Sequence, residues 1–200
     1  MPPRRVRIIG TTLSGLVTYA PWMWGLIRGP VQRFWNRAAG SWDANETPNR
    51  THALQEALAA VGEPKRILEI GTGTGSGASI LKARFPDAEV TGVDLSPEMV
   101  RIAQTKVPGV TFEPADASRL PFPDASFDLV AQNNVPVYFG ELARVTAPGG
   151  RVLITSTFGP VTPYYTPHNV LHKRLRKLGF TDLHSEQAPP GDWFIARKPS

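Results

Sequence analysis

The chain has 200 residues, of which 41% are hydrophobic and 20% charged, a composition typical of one globular domain of the soluble class. It has no cysteine, which excludes a disulfide scaffold, a thiolate zinc site and a cysteine nucleophile, and we predict no metal site. The net charge of +5 is spread over several segments, and no aromatic residue interleaves the basic run 172–177. We therefore expect a solvated basic surface and no nucleic-acid partner.

Residues 1–48 lack a clean helical or strand period and are rich in tryptophan, proline and glycine. Within them, residues 8–27 are uncharged and follow a cluster of arginines, as a signal peptide or a membrane span would. Glycine, threonine, serine and proline interrupt this stretch, and no small-residue cleavage site follows it. We predict instead an N-terminal helical cap over the rest of the chain. The alternative is a membrane-proximal segment, in which residues 8–37 contact a lipid surface through their tryptophans.

From residue 49 to residue 200 the hydrophobic pattern alternates between helix and strand, which is typical of βαβ units and a parallel sheet. Glycine and proline mark the ends of the elements, and the turn Pro189-Pro190-Gly191 predicts a hairpin between the last two strands. The predicted helices are 51–61, 75–85, 97–106, 140–146 and 167–178. The predicted strands are 66–70, 89–93, 110–113, 127–131, 151–156, 180–187 and 192–197.

The strongest motif is a strand that ends in an acid and is followed by alternating glycines, which open a helix: Glu69, Gly71, Gly73, Gly75 and Gly77. Glycine lets the backbone turn sharply and approach a ligand, and the N-terminus of a helix offers free N–H groups to an anion. The dinucleotide pattern G-x-G-x-x-G/A is satisfied if Gly73 comes first. It fails if Gly71 comes first, because Ser76 then stands in third place.

A second motif places Asp94 at the end of the second predicted strand, 19 residues after Gly75. A carboxylate there can accept hydrogen bonds from both hydroxyls of a ribose, which suits NAD and S-adenosylmethionine (SAM) equally. A role of Asp94 as cap of the helix that begins near Pro97 stays open at this point.

Later motifs separate these two cofactors. Asp116-Ala117 follows the third predicted strand, and Pro148-Gly149-Gly150 precedes the fifth. Together with the motifs around Glu69 and Asp94, over residues 64–156, they closely resemble class I SAM-dependent methyltransferases, and among these the small-molecule group that includes ubiquinone and menaquinone biosynthesis enzymes. The resemblance implies a Rossmann-like α/β fold: a mostly parallel seven-stranded sheet with a C-terminal antiparallel hairpin, and helices on both faces.

The resemblance also implies a SAM site in a methyltransferase domain that spans residues 49–200. The glycine loop would wrap the methionine end of SAM with Glu69 below it, Asp94 would hold the ribose, and Asp116 would accept from the adenine amino group. The predicted cofactor-binding residues are Glu69, Gly71, Thr72, Gly73, Gly75, Asp94, Leu95, Met99, Asp116, Ala117, Gln132 and Asn133.

The predicted reaction is in-line transfer of the sulfonium methyl of SAM to a small molecule, in the cytoplasm or at a membrane surface. Correct orientation of the two reactants supplies much of the rate enhancement of such a reaction, and a base is needed only if the acceptor loses a proton. No base is assigned, although five residues are candidates by type: His52, His168, His172, His184 and Tyr138.

No acceptor is assigned either, because the chain between Asp128 and Pro148 is shorter than in the group that it resembles. Residues 132–138 are only faintly similar to the Asn-Pro-Pro-Tyr motif of nucleic-acid amino methyltransferases, since Val135 interrupts it. Two alternatives stay open. An NAD(P)-dependent oxidoreductase is disfavoured by Asp116 and the Pro-Gly-Gly run, and a SAM-binding module without catalysis is compatible with every motif.

Overall fold

The computed structural model describes residue 15, residues 21–45 and residues 49–200 of the chain. Its seven strands are β1 (Arg66–Ile70), β2 (Glu89–Asp94), β3 (Thr111–Pro114), β4 (Phe127–Asn133), β5 (Thr146–Ser156), β6 (Thr181–Ala188) and β7 (Gly191–Arg197). Its longer helices are α1 (Trp24–Trp42), α2 (His52–Ala57), α3 (Ser76–Arg84), α4 (Pro97–Lys106), α5 (Phe139–Val145) and α6 (His168–Lys177).

The strands form one sheet in the order β3-β2-β1-β4-β5-β7-β6. The first five strands are parallel, and β7 lies antiparallel between β5 and β6. The strand order reverses between β1 and β4, and in such sheets ligands bind beyond the carboxyl ends of the strands at that point. This architecture confirms the predicted sheet, including its C-terminal hairpin.

Two hydrophobic cores cover the two faces of the sheet. On one face, α2, α3 and α4 contribute buried side chains such as Leu54, Leu81 and Val100. On the other face, α5 and α6 contribute Leu142 and Leu175. The predicted arrangement, with helices on both faces, is therefore confirmed.

Two elements differ from their predicted bounds by more than two residues. The strand β5 begins at Thr146 rather than at residue 151, because Thr146 pairs with Phe127 across an irregularity of the ladder. A Cβ on Gly150 would lie 3.0 Å from the carbonyl oxygen of Asp128, so glycine permits this close approach. The helix predicted over 51–61 ends as an α-helix at Ala57 and continues as a short 3-10 turn, Leu58–Ala60.

The helix α1 spans residues for which the sequence pattern showed no clear period. It follows a 3-10 turn, Pro21–Met23, and its inner face buries Trp24 and Ala39. Across the part of the chain that the structure describes, no helix is both long and apolar enough to cross a bilayer. The arginine cluster and most of residues 8–20 lie outside the described residues. The boundary near residue 48 between cap and catalytic domain stays a prediction.

Candidate functional site

A cavity of about 670 Å³ opens at the carboxyl ends of the parallel strands, below α1. Its size falls in the usual range for small-molecule sites. Most of the predicted cofactor-binding residues line this cavity: Glu69, Gly71, Thr72, Gly73, Asp94, Leu95, Met99, Asp116, Ala117 and Asn133. The structure therefore brings together residues that are far apart in the sequence. Gly75 and Gln132 do not line it.

Gly75 and Gln132 lie behind the cavity wall. Gly75 occupies the N-cap position of α3, where a Cβ would lie 3.0 Å from the side chain of Val107. Gln132 is buried, and its side-chain amide donates to the carbonyl oxygen of Val135 at 3.3 Å. Both residues therefore support the loops around the cavity without lining it.

The loop after β1 is held against β2 by its backbone. The N–H groups of Gly71 and Thr72 both donate to the carbonyl oxygen of Val93, at 2.8 and 2.9 Å. Gly71 has φ +72°, and a Cβ there would lie 2.5 Å from a methyl group of Val135. Only glycine meets both conditions, so the loop can pass close to the cavity.

Asp94 connects the glycine loop to the start of α4. Its carboxylate accepts from the backbone N–H of Gly73 at 3.0 Å and from that of Ser96 at 2.8 Å. Burial raises the pKa of this carboxyl, and these two hydrogen bonds act in the opposite direction. An ionised carboxylate offers about four acceptor positions, so the positions left can accept from a ligand.

Glu69 lies at the floor of the cavity and is 3% exposed. Burial raises the pKa of its carboxyl to about 7, while hydrogen bonds from the Thr72 hydroxyl and from the backbone of Ala78 act to lower it. A Cβ on Gly77 would lie 1.9 Å from one carboxylate oxygen of Glu69. The glycine at the first turn of α3 therefore makes room for the buried acid.

Asp116 is contacted by α1. Its carboxylate accepts from the indole Nε1 of Trp24, at 3.0 and 3.1 Å from the two oxygens, and forms an ion pair with Nε of Arg28 at 2.9 Å. The backbone N–H of Ser118 donates to it as well, at 2.9 Å. The carboxylate predicted to bind adenine thus already has partners on the N-terminal helix.

Further contacts fix the later part of α1 above the site. Gln32 donates to the carbonyl oxygen of Leu95 at 2.9 Å, and the Ser96 hydroxyl donates to Asn36 at 2.6 Å. Just beyond the helix, Asp43 accepts from the Thr74 hydroxyl at 2.5 Å and pairs with Lys106 at 3.0 Å. The helix therefore spans the cavity from the Asp116 end to the glycine loop.

Aromatic side chains form a wall of the cavity: Trp24, Phe34, Trp35, Trp42, Tyr138, Phe158 and Tyr164. Sequence reasoning assigned the tryptophans of the N-terminal segment to a cap and missed Phe158 and Tyr164. Trp42 and Tyr164 line the cavity, and the Arg50 guanidinium lies 4.1 Å from the centre of the Trp42 ring. The density of tryptophan between residues 22 and 42 was a usable signal for part of this wall. The loop after β5, with Phe158 and Tyr164, carried no signal.

Of the candidate bases, Tyr138 lines the cavity and the four histidines do not. Burial raises the pKa of the Tyr138 hydroxyl, so this group stays protonated at neutral pH. His168 instead lies 3.5 Å from the buried Asp192, and His184 lies 3.6 Å from Glu186. The residues that the structure describes also contain no cluster of three or more His, Asp or Glu residues suited to a metal ion.

Known proteins share this fold and part of this sequence. The family model of a methyltransferase domain matches residues 67–150. A demethylmenaquinone methyltransferase of Thermus thermophilus is 47% identical over 48% of this chain and 49% of its own length. The enzyme of the same name from Deinococcus radiodurans is 36% identical over 69% of this chain and 58% of its own length. The chain thus spans about half the length of these curated relatives.

Solved structures agree on the fold. A SAM-dependent methyltransferase of Aquifex aeolicus superposes with a TM-score of 0.63 at 18% identity, over 78% of this chain and 95% of that one. Phosphoethanolamine N-methyltransferase 2 of Haemonchus contortus, in complex with SAM, gives 0.63 at 22% identity, over 74% of this chain and 52% of that one. The chain therefore contains a methyltransferase domain, and its fold is that of the class I SAM-dependent methyltransferases.

Proposed function

We propose that this protein transfers the methyl group of SAM to a small-molecule acceptor. The observation that carries the proposal is the set of polar groups around one cavity at the switch point of the sheet. Asp94 offers acceptor positions for a ribose diol, Asp116 lines the same cavity as the apolar side chains of Leu95 and Met99, and the glycine loop passes the cavity closely. These groups fit the ribose, the adenine and the methionine end of SAM.

Methyl transfer from SAM requires little from the protein beyond correct placement of SAM and the acceptor. Bound SAM supplies an activated methyl group on its sulfonium, and the sulfur keeps the electron pair when the acceptor takes that methyl. The aromatic wall excludes water and holds the acceptor in line, which can supply a large part of the rate enhancement. Tyr138 stays protonated and can orient an acceptor oxygen as a hydrogen-bond donor. We assign no general base.

The acceptor that suits this cavity is a flat apolar molecule. Trp35, Trp42, Phe158 and Tyr164 present aromatic rings to the cavity, and such walls favour a planar ring over a charged or strongly polar one. The names of the curated relatives point in the same direction, since demethylmenaquinone is a quinone. A quinol-type ring is therefore the first acceptor to test.

Ligand binding and methyl transfer test the proposal directly. The purified protein is expected to bind SAM and S-adenosylhomocysteine with micromolar-range affinity in calorimetry, and NADH far more weakly. Labelled SAM should then transfer its methyl to a component of a metabolite extract. Tight binding of NADH without SAM would favour the oxidoreductase alternative. SAM binding without transfer to any extract would favour a binding module.

The location that we propose is the cytoplasm, with peripheral contact to a membrane. The lack of cysteine is compatible with a reducing compartment. The N-terminal segment exposes Trp22 by 76%, Leu26 by 73% and Phe34 by 47%. The helix α1 has no acidic residue and exposes several arginines, which suits an anionic lipid surface.

Vesicle flotation tests the membrane contact. The protein is expected to float with vesicles that contain anionic phospholipid and to float less with purely zwitterionic ones, because the arginines add electrostatic attraction. The double variant Trp22→Ser/Leu26→Ser should lose most of this binding. Leu178→Ser is the matched control, since Leu178 is also exposed, by 42%, but lies outside α1. Equal flotation of all three proteins would contradict a role of α1 in membrane contact.

A further inference from the structure

The first turns of α1 hold the carboxylate that adenine is proposed to bind. Trp24 is 8% exposed, and its indole N–H points at both oxygens of Asp116. Arg28, one helical turn later, reaches the same carboxylate from a half-exposed position. With the N–H of Ser118, three donor groups converge on one acid whose acceptor positions number about four.

Trp24 and Asp116 line two spaces. The cavity below α1 is lined by Trp24, Leu95, Ala115 and Asp116, among others. A second hollow, of about 660 Å³, is lined by these same four residues and extends to Arg28. Trp24 therefore lies where both spaces reach Asp116.

The indole and adenine offer the same chemistry to this position. Each is a flat aromatic ring with an N–H group at its edge that can donate to a carboxylate. Tyr138 contacts the Trp24 ring edge to face, with centroids 5.7 Å apart, as it would contact another aromatic ring there. Since an adenine amino group would compete with Trp24 for the same carboxylate edge, binding of one favours release of the other.

The helix contains a point at which its first turns can move separately. Pro30 lies inside α1, where it cannot donate the backbone hydrogen bond to the carbonyl oxygen of Leu26, and Gly29 precedes it. Beyond Pro30, the contacts of Gln32 and Asn36 anchor the helix to the start of α4. Before Pro30, Trp24 and Arg28 both contact Asp116.

We propose that residues 24–28 form a gate on the adenine end of the cavity, which pivots at Gly29-Pro30. In the closed gate, Trp24 and Arg28 occupy Asp116. In the open gate, the carboxylate is free to accept from the adenine amino group, while the rest of α1 stays in place above the cavity. This gate rests on the proposed function, because it assigns adenine to Asp116.

Affinity for S-adenosylhomocysteine distinguishes a gate from a fixed wall. Only the open fraction binds ligand, so a variant that weakens the closed state is expected to bind about 3- to 10-fold tighter and to associate faster. Trp24→Ala removes the ring and the donor, Trp24→Phe removes only the donor, and Arg28→Gln removes only the ion pair. Calorimetry and stopped-flow binding measure both quantities, and circular dichroism checks that each variant is folded.

The matched control is Trp22→Ala, which removes an exposed ring from the adjoining turn and should leave binding unchanged. Pro30→Ala restores the missing donor, stiffens the pivot and should slow association. Weaker or unchanged binding by folded Trp24→Ala and Arg28→Gln would overturn the gate, because Trp24 would then be a fixed part of the adenine site. If neither the wild type nor any folded variant binds, the proposed function fails as well. If all bind equally, the gate alone fails.

Discussion

Replacement of Asp94 by alanine is expected to weaken binding of SAM and S-adenosylhomocysteine by at least about 2 kcal/mol, or roughly 30-fold. The carboxylate lies at the end of β2, where it can accept from both hydroxyls of the ribose. The structure adds a second reason. The same carboxylate holds the N–H of Gly73, so the alanine variant also releases the glycine loop. Isothermal titration of both ligands into the wild type and the variant measures the loss.

Two further variants make this test specific. Asp94→Asn should retain part of the binding, because its amide oxygen can still accept. Glu98→Ala is the matched control: Glu98 is half-exposed on α4 and pairs with Arg101 at 3.0 Å, so its loss should change affinity little. A lowered melting temperature with unchanged affinity would remove Asp94 from the cofactor site.

The structure also shows that Asp94 is not itself the N-cap of α4. The N-cap of α4 is Ser96, whose hydroxyl accepts from the N–H of Met99 at 3.2 Å. Asp94 instead contacts the residue that caps the helix, since it accepts from the N–H of Ser96. Loss of Asp94 thus disturbs the approach to the helix rather than its cap, and we expect a smaller loss of stability than of affinity.

The sheet and its helices could be predicted because local signals agree with the tertiary structure there. Apolar strand segments alternate with helical spacing, and proline or glycine stands at most of the boundaries. The predicted start of β5 was wrong, because the observed start depends on contacts with residues that are far away in the sequence. Gly149 donates to the carbonyl oxygen of Lys198, and the N–H of Lys198 donates back to Gly150. No local pattern around residue 148 contains that partner segment.

The helix α1, by contrast, could not be predicted from local sequence signals. Gly25, Gly29, Pro30 and Gly40 give it poor intrinsic helix propensity, so the sequence carries no clear helical signal. Packing on the cavity compensates, since Trp24 is buried and several side chains bond to the sheet end. The three acids that the motifs singled out line one cavity at the carboxyl ends of the parallel strands, and their binding roles stay a prediction. Trp24 and Arg28, the partners of Asp116 on α1, come from a segment about ninety residues earlier, which no motif spacing could indicate.

The second large expected effect is a loss of stability of the ligand-free protein as the pH rises above 5. Burial raises the pKa of the Glu69 carboxyl from 4.5 to about 7. A carboxyl with a raised pKa in the folded state binds its proton more tightly there than in the unfolded chain. Its contribution to stability is therefore complete below about pH 4.5 and is lost as the pH rises through 7. A difference of this size corresponds to about 3 kcal/mol of the free energy of unfolding.

The variant Glu69→Gln isolates this contribution, because its amide is neutral at every pH and can still accept from Thr72. Urea unfolding between pH 5 and 8 should show the wild type losing roughly 2 to 3 kcal/mol relative to the variant. Burial lowers the pKa of His172, which changes stability in the opposite direction, but both proteins share it and it cancels in the difference. Asp43, Asp128 and Glu141 have lowered pKa values, so their contributions to stability stay constant within this window and are lost only at lower pH. Parallel stability curves for the two proteins would show that Glu69 is ionised throughout, and would place a permanent negative charge under the glycine loop.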